Sequence, residues 1–339
     1  MEYLKRLFDR PSPEHLYHYT NANSFLGIIQ KTEMWASHIR FMNDLKEEVY
    51  ALELLERRLP DLLKTTSLNP NKMIKLIQKY FDEENSKFGI FVLSFSEKSD
   101  DLNQWRGYAN GTPSYCIKFN SNKIKKNSEV ENDVENVKLL IDSSWDLNDH
   151  KRKIFLLPCV YDDETQNNLI DEIANMVLQN SYEIDEKLIA KKIARTLIFY
   201  SPLIKHRMSE DEKEWRIIIV YEKSFNPNFT REDLQKELNA TNNEYERDRL
   251  NYEMDCFEDN EYRLKIDKEL LGFRMGKSYI IPYYKFKLEK EAFEGFIIGA
   301  CPDYNSVKES TIYFLSKNGF TYEESKKMVT KTKNPYRNW

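Results

Sequence analysis

Hydrophobic and polar positions alternate between two periods along this chain, and the switches divide it into short strands and longer amphipathic helices. Leu16–Thr20 is aromatic and extended in pattern, and Asn21 or Asn23 can cap a helix over Ser24–Lys31 that buries Phe25, Leu26, Ile28 and Ile29. A strand over Met34–Ser37 follows. Val49, Leu52, Leu54, Leu55 and Leu59 recur at helical spacing within Leu45–Leu63 until Pro60 disturbs the run, and Lys72–Phe81 repeats the pattern. Gly89–Ser96 is apolar enough for an interior strand, with a helical turn over Asp101–Ala109 and a further strand over Ser114–Phe119.

The second half repeats this grammar. Ile154–Tyr161 reads as a strand, Glu164–Leu178 and Asp185–Tyr200 as helices, and Glu214–Tyr221 as an interior strand. Strands over Ser278–Leu288 and Gly295–Ile298 and a helix over Ser306–Lys317 complete the body. Between them the charges of Arg231–Asp267 far outnumber its apolar residues, which predicts a solvated helix or hairpin within an insertion over 222–277. Short strands interleaved irregularly with helices predict an α+β fold, an irregular mixed or antiparallel sheet with flanking helices. The expectation is one elaborated domain over 1–339 with a basic C-terminal tail at 319–339.

Composition narrows the functional field. Only 9 of 339 residues are glycine, which argues against glycine-dependent phosphate cradles. The formal charge of -5 argues against a generally basic nucleic-acid coat, although local patches at Lys123–Lys126, His150–Lys153 and Lys326–Lys333 survive that test. Cys116, Cys159, Cys256 and Cys301 are too widely spaced for a zinc motif or a dense disulfide framework, and read as buried thiols in a reducing compartment. With no secretory apolar region at the start and no run of membrane-spanning length, the expected location is the cytoplasm.

Gly272-Phe-Arg-Met-Gly276-Lys277-Ser278 has three residues between its glycines where a phosphate-binding P-loop has four, and it leads into a strand pattern, so it reads as a turn. His15 and His18, three apart on an extended strand, fall on opposite faces. The Glu212-Lys-Glu214-Trp-Arg216 run is more informative: if extended, it puts Glu212, Glu214 and Arg216 on one side and Trp215, Ile217 and Ile219 on the other. Two readings stand, a charged set facing a cleft or a solvated strand end. Asn43 and Asp44 suit the start of the Leu45 helix, Ser94 and Ser96 share a strand face, and Trp105 and Tyr108 share a helix face on which packing and ligand stacking are both open.

Taken in order, Leu16-Tyr-His-Tyr-Thr20, Phe41-Met-Asn-Asp44, Ser94-Phe-Ser96, Trp105-Arg-Gly-Tyr108, Lys205, Glu212-x-Glu214-x-Arg216 and Ile297-Ile-Gly299 resemble the bacterial family catalogued as domain of unknown function 2971. The resemblance extends over about residues 13–318 and departs at Leu45, where a proline commonly follows Asn-Asp. More distantly, His18 with Thr20, then Ser37, then Glu212-x-Glu214 resemble the ordered polar residues of ADP-ribosyltransferases, although Tyr19 stands where those enzymes carry glycine.

That second resemblance implies NAD as co-substrate, no required metal, a protein or nucleic-acid acceptor, and a bacterial defence or toxin setting. Loss of nicotinamide builds oxocarbenium-like charge on ribose, which a fixed carboxylate stabilises. The resemblance assigns that work to Glu214, with Glu212 orienting the acceptor or acting as base. His18 and Thr20 would hold the adenosine side, Tyr19, Trp105 or Tyr108 would stack on a ring, and Arg216 would meet pyrophosphate or neutralise Glu214. Ser37, Asn43, Asp44, Ser94 and Ser96 complete the expected nucleotide site. Two alternatives use the same residues: a metal-dependent phosphodiesterase or nuclease with Asp44, Glu48, Glu212 and Glu214 as ligands, or a non-catalytic nucleotide or nucleic-acid sensor.

Overall fold

The computed structural model describes residues 2–42, 47–109, 113–127, 152–179, 185–222, 231–241, 247, 251, 269–276 and 278–334. Its centre is a ten-stranded mixed sheet flanked by helices, the α+β class expected from the interleaved pattern. The strands are β1 His15–Asn21, β2 Glu33–His38, β3 Phe88–Ser96, β4 Ser114–Asn120, β5 Arg152–Pro158, β6 Glu214–Glu222, β7 Leu271–Met275, β8 Ile280–Lys287, β9 Phe293–Ile298 and β10 Val329–Lys331. One path runs β10-β9-β4-β1-β3-β2-β8-β7, while β6 lies along the other edge of β3 and carries β5.

β3 is therefore a branch point. Its whole length pairs with β6, but on its other edge β2 takes Phe91 and Val92 whereas β1 takes only Ser96, opposite Tyr17. The sheet parts between β1 and β2 at this place. The ladder carbonyl of Ser94 then lacks a strand partner, and His18 Nδ1 fills it at 3.0 Å. Because a carbonyl only accepts, that ring nitrogen carries the proton.

Period-two alternation explains the two cores. Ile90 and Val92 of β3, Phe155 and Leu157 of β5, and Ile218 and Val220 of β6 face a layer built from helices Glu2–Asp9, Glu47–Leu62, Pro70–Lys87, Asp163–Gln179 and Glu186–Tyr200. Phe91, Leu93, Phe95, Trp215, Ile217 and Ile219 face the opposite layer with Phe25, Ile117 and Phe296. Trp215, Ile217 and Ile219 thus share a face as their spacing predicted.

Several elements differ from the expected ones. The helix with Pro60 continues to Leu62, since a proline so near the end breaks little of the remaining ladder. Leu271–Met275, counted by its charge-rich neighbours into the insertion, is an edge strand hairpinned to β8, and Gly276 N–H donates to Tyr279 O across the turn where a phosphate loop was rejected. Within the charged stretch the structure describes a helix at Arg231–Ala240. The tail at 319–339 contains a helix, Tyr322–Met328, started by a reciprocal Thr321–Glu324 capping box, and then β10, parallel to β9. Cys116 and Cys159 are buried free thiols and Cys301 is a half-buried one, whereas Cys256 lies outside the described residues. Among the described residues no helix is long and apolar enough to cross a membrane.

Candidate functional site

At the start of β6 the helix-facing side of the sheet changes from aliphatic to ionic. Arg216 is 1% exposed and Glu214 5% exposed, so neither a solvated strand end nor a charged face open to a cleft describes them. Arg216 Nε donates to Glu214 Oε1 at 2.8 Å and Nη2 to Oε2 at 3.1 Å, a two-point clamp, while Nη1 donates to Pro202 O at 2.6 Å. Lys205, also buried, donates to Glu214 Oε2 at 2.7 Å and to Glu212 Oε2 at 2.8 Å. Two cations and two carboxylates form a balanced chain.

Local backbone accounts for this convergence. Glu212 is not extended but ends a 3-10 helix, Arg207–Glu212, and Lys213 turns the chain with φ 43 and ψ 55, a left-handed conformation that costs a non-glycine residue about 1 kcal/mol. That turn, rather than strand alternation, brings Glu212 and Glu214 to one ammonium. Ser96 Oγ donates to Glu212 O at 2.7 Å and Glu97 N–H donates to Lys213 O at 3.0 Å, pinning the turn to the end of β3. On the other flank Glu214 N–H donates to Tyr161 Oη at 2.9 Å, and Gln166 Nε2 donates to Val160 O and Lys205 O, holding the lysine's backbone.

The electrostatics follow from burial and pairing. Burial alone would raise the Glu214 pKa, but Arg216 and Lys205 outweigh it and hold the carboxyl at about 2. Burial pushes Tyr161 up, and neighbouring Cys159 and Glu214 add to it. Burial lowers the His18 pKa against the opposing pull of Ser94 O. Glu214 therefore links stability to pH with a definite sign. A carboxyl at about 2 when folded and near its ordinary 4.5 when unfolded contributes fully above pH 4.5, and the contribution fades as pH falls towards 2. Its order of magnitude is about 3 kcal/mol. Urea midpoints measured from pH 6 down to pH 2 should fall more steeply for the native chain than for Glu214→Gln; parallel curves would contradict the assignment.

The structure gathers part of the expected site. Glu212, Glu214, Arg216, Ser96 and Tyr108 meet here, with Tyr108, 48% exposed, donating to Glu212 Oε1 at 3.3 Å; Ser94 sits opposite Arg216 on the ladder. Glu212 is the accessible member of the acid pair, its side chain 26% exposed. Ser37 shares the sheet face of Glu214 but lies four ladder positions away, about 13 Å along the strand, and its hydroxyl accepts from Arg274. His18 and Thr20 alternate onto the other face, where His18 meets Phe95 edge-on. Tyr19 is a buried staple whose hydroxyl donates to Lys98 O and accepts from Asp101 N–H. Trp105 is fully buried against Tyr19, with its indole N–H on Asp100. Packing is thus the observed role of Trp105, and Tyr108 is the exposed ring of that pair. Asn43 and Asp44 lie outside the described residues.

Lys205, Tyr161, Cys159, Pro202 and Gln166 complete the cluster and were not among the expected site residues. Lys205 had a signal, its place in the family pattern; the others are joined to Glu214 only by the fold. Two cavities flank the 201–213 segment, one of about 1080 Å³ beside His206, Met208 and Tyr50, the other of about 340 Å³ beside Cys159, Tyr161 and Lys213. His18, Ser37 and Glu214 are not among the residues of either wall. Among the described residues no three His, Cys, Asp or Glu side chains gather as metal ligands, and of the expected metal set Asp44 and the Glu48 side chain lie outside them.

With this geometry in place, comparison with known proteins adds one finding. Residues 104–217 match the model of a family described as a protein of unknown function, DUF2971, a stretch that holds Trp105, Tyr108, Lys205, Glu212, Glu214 and Arg216. No curated protein and no solved structure matches the chain. What these comparisons support is a likeness to that family over residues 104–217, and none of them extends to ADP-ribosyltransferases.

Proposed function

We propose that this chain is an NAD-consuming ADP-ribosyltransferase in which Glu212 is the working carboxylate. The observation that supports this reading is the division of labour in the acid pair: Glu214 is buried and clamped, whereas Glu212 is accessible, held by Lys205 and adjoined by the exposed ring of Tyr108. The C1′–N bond of NAD breaks, nicotinamide leaves with the bonding electron pair, and positive charge grows on the ribose. A carboxylate whose position is fixed beforehand stabilises that charge without reorganising. An acceptor nucleophile then bonds to C1′ and gives up its proton to a base; water as acceptor yields free ADP-ribose.

Glu214, Arg216 and Ser96 are positioning residues in this proposal, because they fix the lysine and the turn that carry Glu212. Incubation of the purified chain with NAD, with nicotinamide followed by chromatography, tests it. Catalytic release of nicotinamide is the expected result. NAD binding without release would favour the sensor reading, and neither binding nor release would end the proposal.

A further inference from the structure

We infer that the open face of β2, β8 and β7 is a docking platform for single-stranded nucleic acid, independent of the NAD reading. On this face the ladder sets Ser37 beside Tyr283 and Gly272, and Trp35 beside Lys285, with Arg274 opposite Ile281. The other face of β2 and β8 turns Met34, Ala36, Tyr284 and Phe286 into the core, while Phe273 and Met275 of β7 are exposed on that side and Ile281 and Tyr283 are covered on the first. Tyr283 and Trp35 stack at 4.2 Å with planes 15° apart. A side-chain carbon on Gly272 would lie 2.4 Å from the Tyr283 ring, so glycine is what lets that ring lie against β7. Tyr283 is the covered layer of the stack, and Trp35, 40% exposed, is the outer one, with the end of the Lys31 side chain as its other ring neighbour.

The charges on this face are not cancelled. Arg274 is half-buried and loses some of its basicity to burial, and among the described residues its guanidinium donates to the Ser37 hydroxyl at 3.0 Å and lies near the Tyr283 ring. Lys285 donates to a backbone carbonyl, Glu269 O, and Lys31 lies over the Trp35 ring at 5.4 Å. Among the described residues no carboxylate pairs with any of these three cations. Lys287 is the exception, spent on buried Glu33. A local cation excess on a chain of formal charge -5 calls for an anion, and an exposed indole beside it calls for a flat ring.

Phosphate linked to a base supplies both. A flat sheet with interleaved rings and cations matches the way extended single strands are held. Duplex offers no exposed base faces to Trp35.

Fluorescence anisotropy with labelled oligothymidylate and oligouridylate of about fifteen nucleotides tests this, at about 50 and about 200 mM salt, beside a duplex and a polyglutamate control. Tighter binding of single strands than of duplex or polyglutamate is expected, and the DNA and RNA arms identify the preferred strand. Trp35→Ala should weaken binding at least about fivefold while Trp35→Phe largely retains it. Arg274→Gln should weaken binding and flatten the salt dependence by about one counterion. Urea midpoints verify that the variants fold, and Arg274→Gln alone decides the matter if Trp35→Ala does not. The inference is overturned by single strands that fail to bind at low salt, by duplex or polyglutamate binding equally well, or by folded variants that bind like the native chain.

Discussion

Arg216→Met should destabilise the protein by about 3–5 kcal/mol, the cost of removing one partner from a buried ion pair. Methionine keeps much of the volume, so packing changes little and the effect isolates charge. Glu214 would retain Lys205 but lose the two-point clamp that fixes its second oxygen, and Pro202 O would lose its 2.6 Å donor. With single domains stable by only about 5–15 kcal/mol, such a loss is a large share of the total. Arg216→Lys should fall between the two, because an ammonium restores charge without the fork. The double variant Arg216→Met with Glu214→Gln should cost less than the two single changes added, since the stranded carboxylate is then gone. Urea denaturation of the native chain and these four variants checks this, and Arg216→Met within about 1 kcal/mol of the native chain would show that the cluster carries no such burden.

The same residues show what a sequence can convey. Trp215, Ile217 and Ile219 announce their burial through period two, and the fold places them in one core. Arg216 keeps the same period and its expected neutralising of Glu214 is what the fold shows, but spacing alone does not convey that the pair is buried rather than set at a cleft or in solvent. Lys205 is marked by its place in the family pattern but not by periodicity, since a 3-10 helix intervenes before Glu212 and no periodic pattern crosses it. Glu212 itself was assigned to the right cluster through the wrong geometry, since strand alternation was expected and the left-handed Lys213 does the turning.

Outside the cluster, the limits have different origins. Gly272 and Arg274 weaken the strand signal of β7, yet glycine there serves the Tyr283 ring. The final helix was legible in principle, since Thr321-x-x-Glu324 is a capping-box pattern, but the surrounding lysines gave it the look of a basic tail. His15 and His18 part onto opposite faces as their spacing requires, one meeting Glu294 and the other Ser94 O. The branching of the sheet at β3 had no local signature at all; it depends on which edges of three distant segments find one another.

Glu212→Gln is the substitution expected to affect turnover most. If the accessible carboxylate stabilises charge that exists only in the transition state, nicotinamide release should fall by about 10²–10³-fold in kcat, the scale seen for a fixed electrostatic group, with KM for NAD little changed. The side chain is partly exposed and Lys205 keeps its bond to Glu214, so the stability of this variant should stay within about 1 kcal/mol of the native chain. Glu214→Gln is expected to behave differently: it loosens Arg216 and Lys205 together, so lost turnover should come with a lowered urea midpoint. The contrast matters more than either number, because only a carboxylate that acts on substrate can lose rate while the fold remains intact. A Glu212→Gln protein that releases nicotinamide at the native rate would move the working acid elsewhere, and a matching loss of stability in both variants would reduce Glu212 to another strut of the cluster.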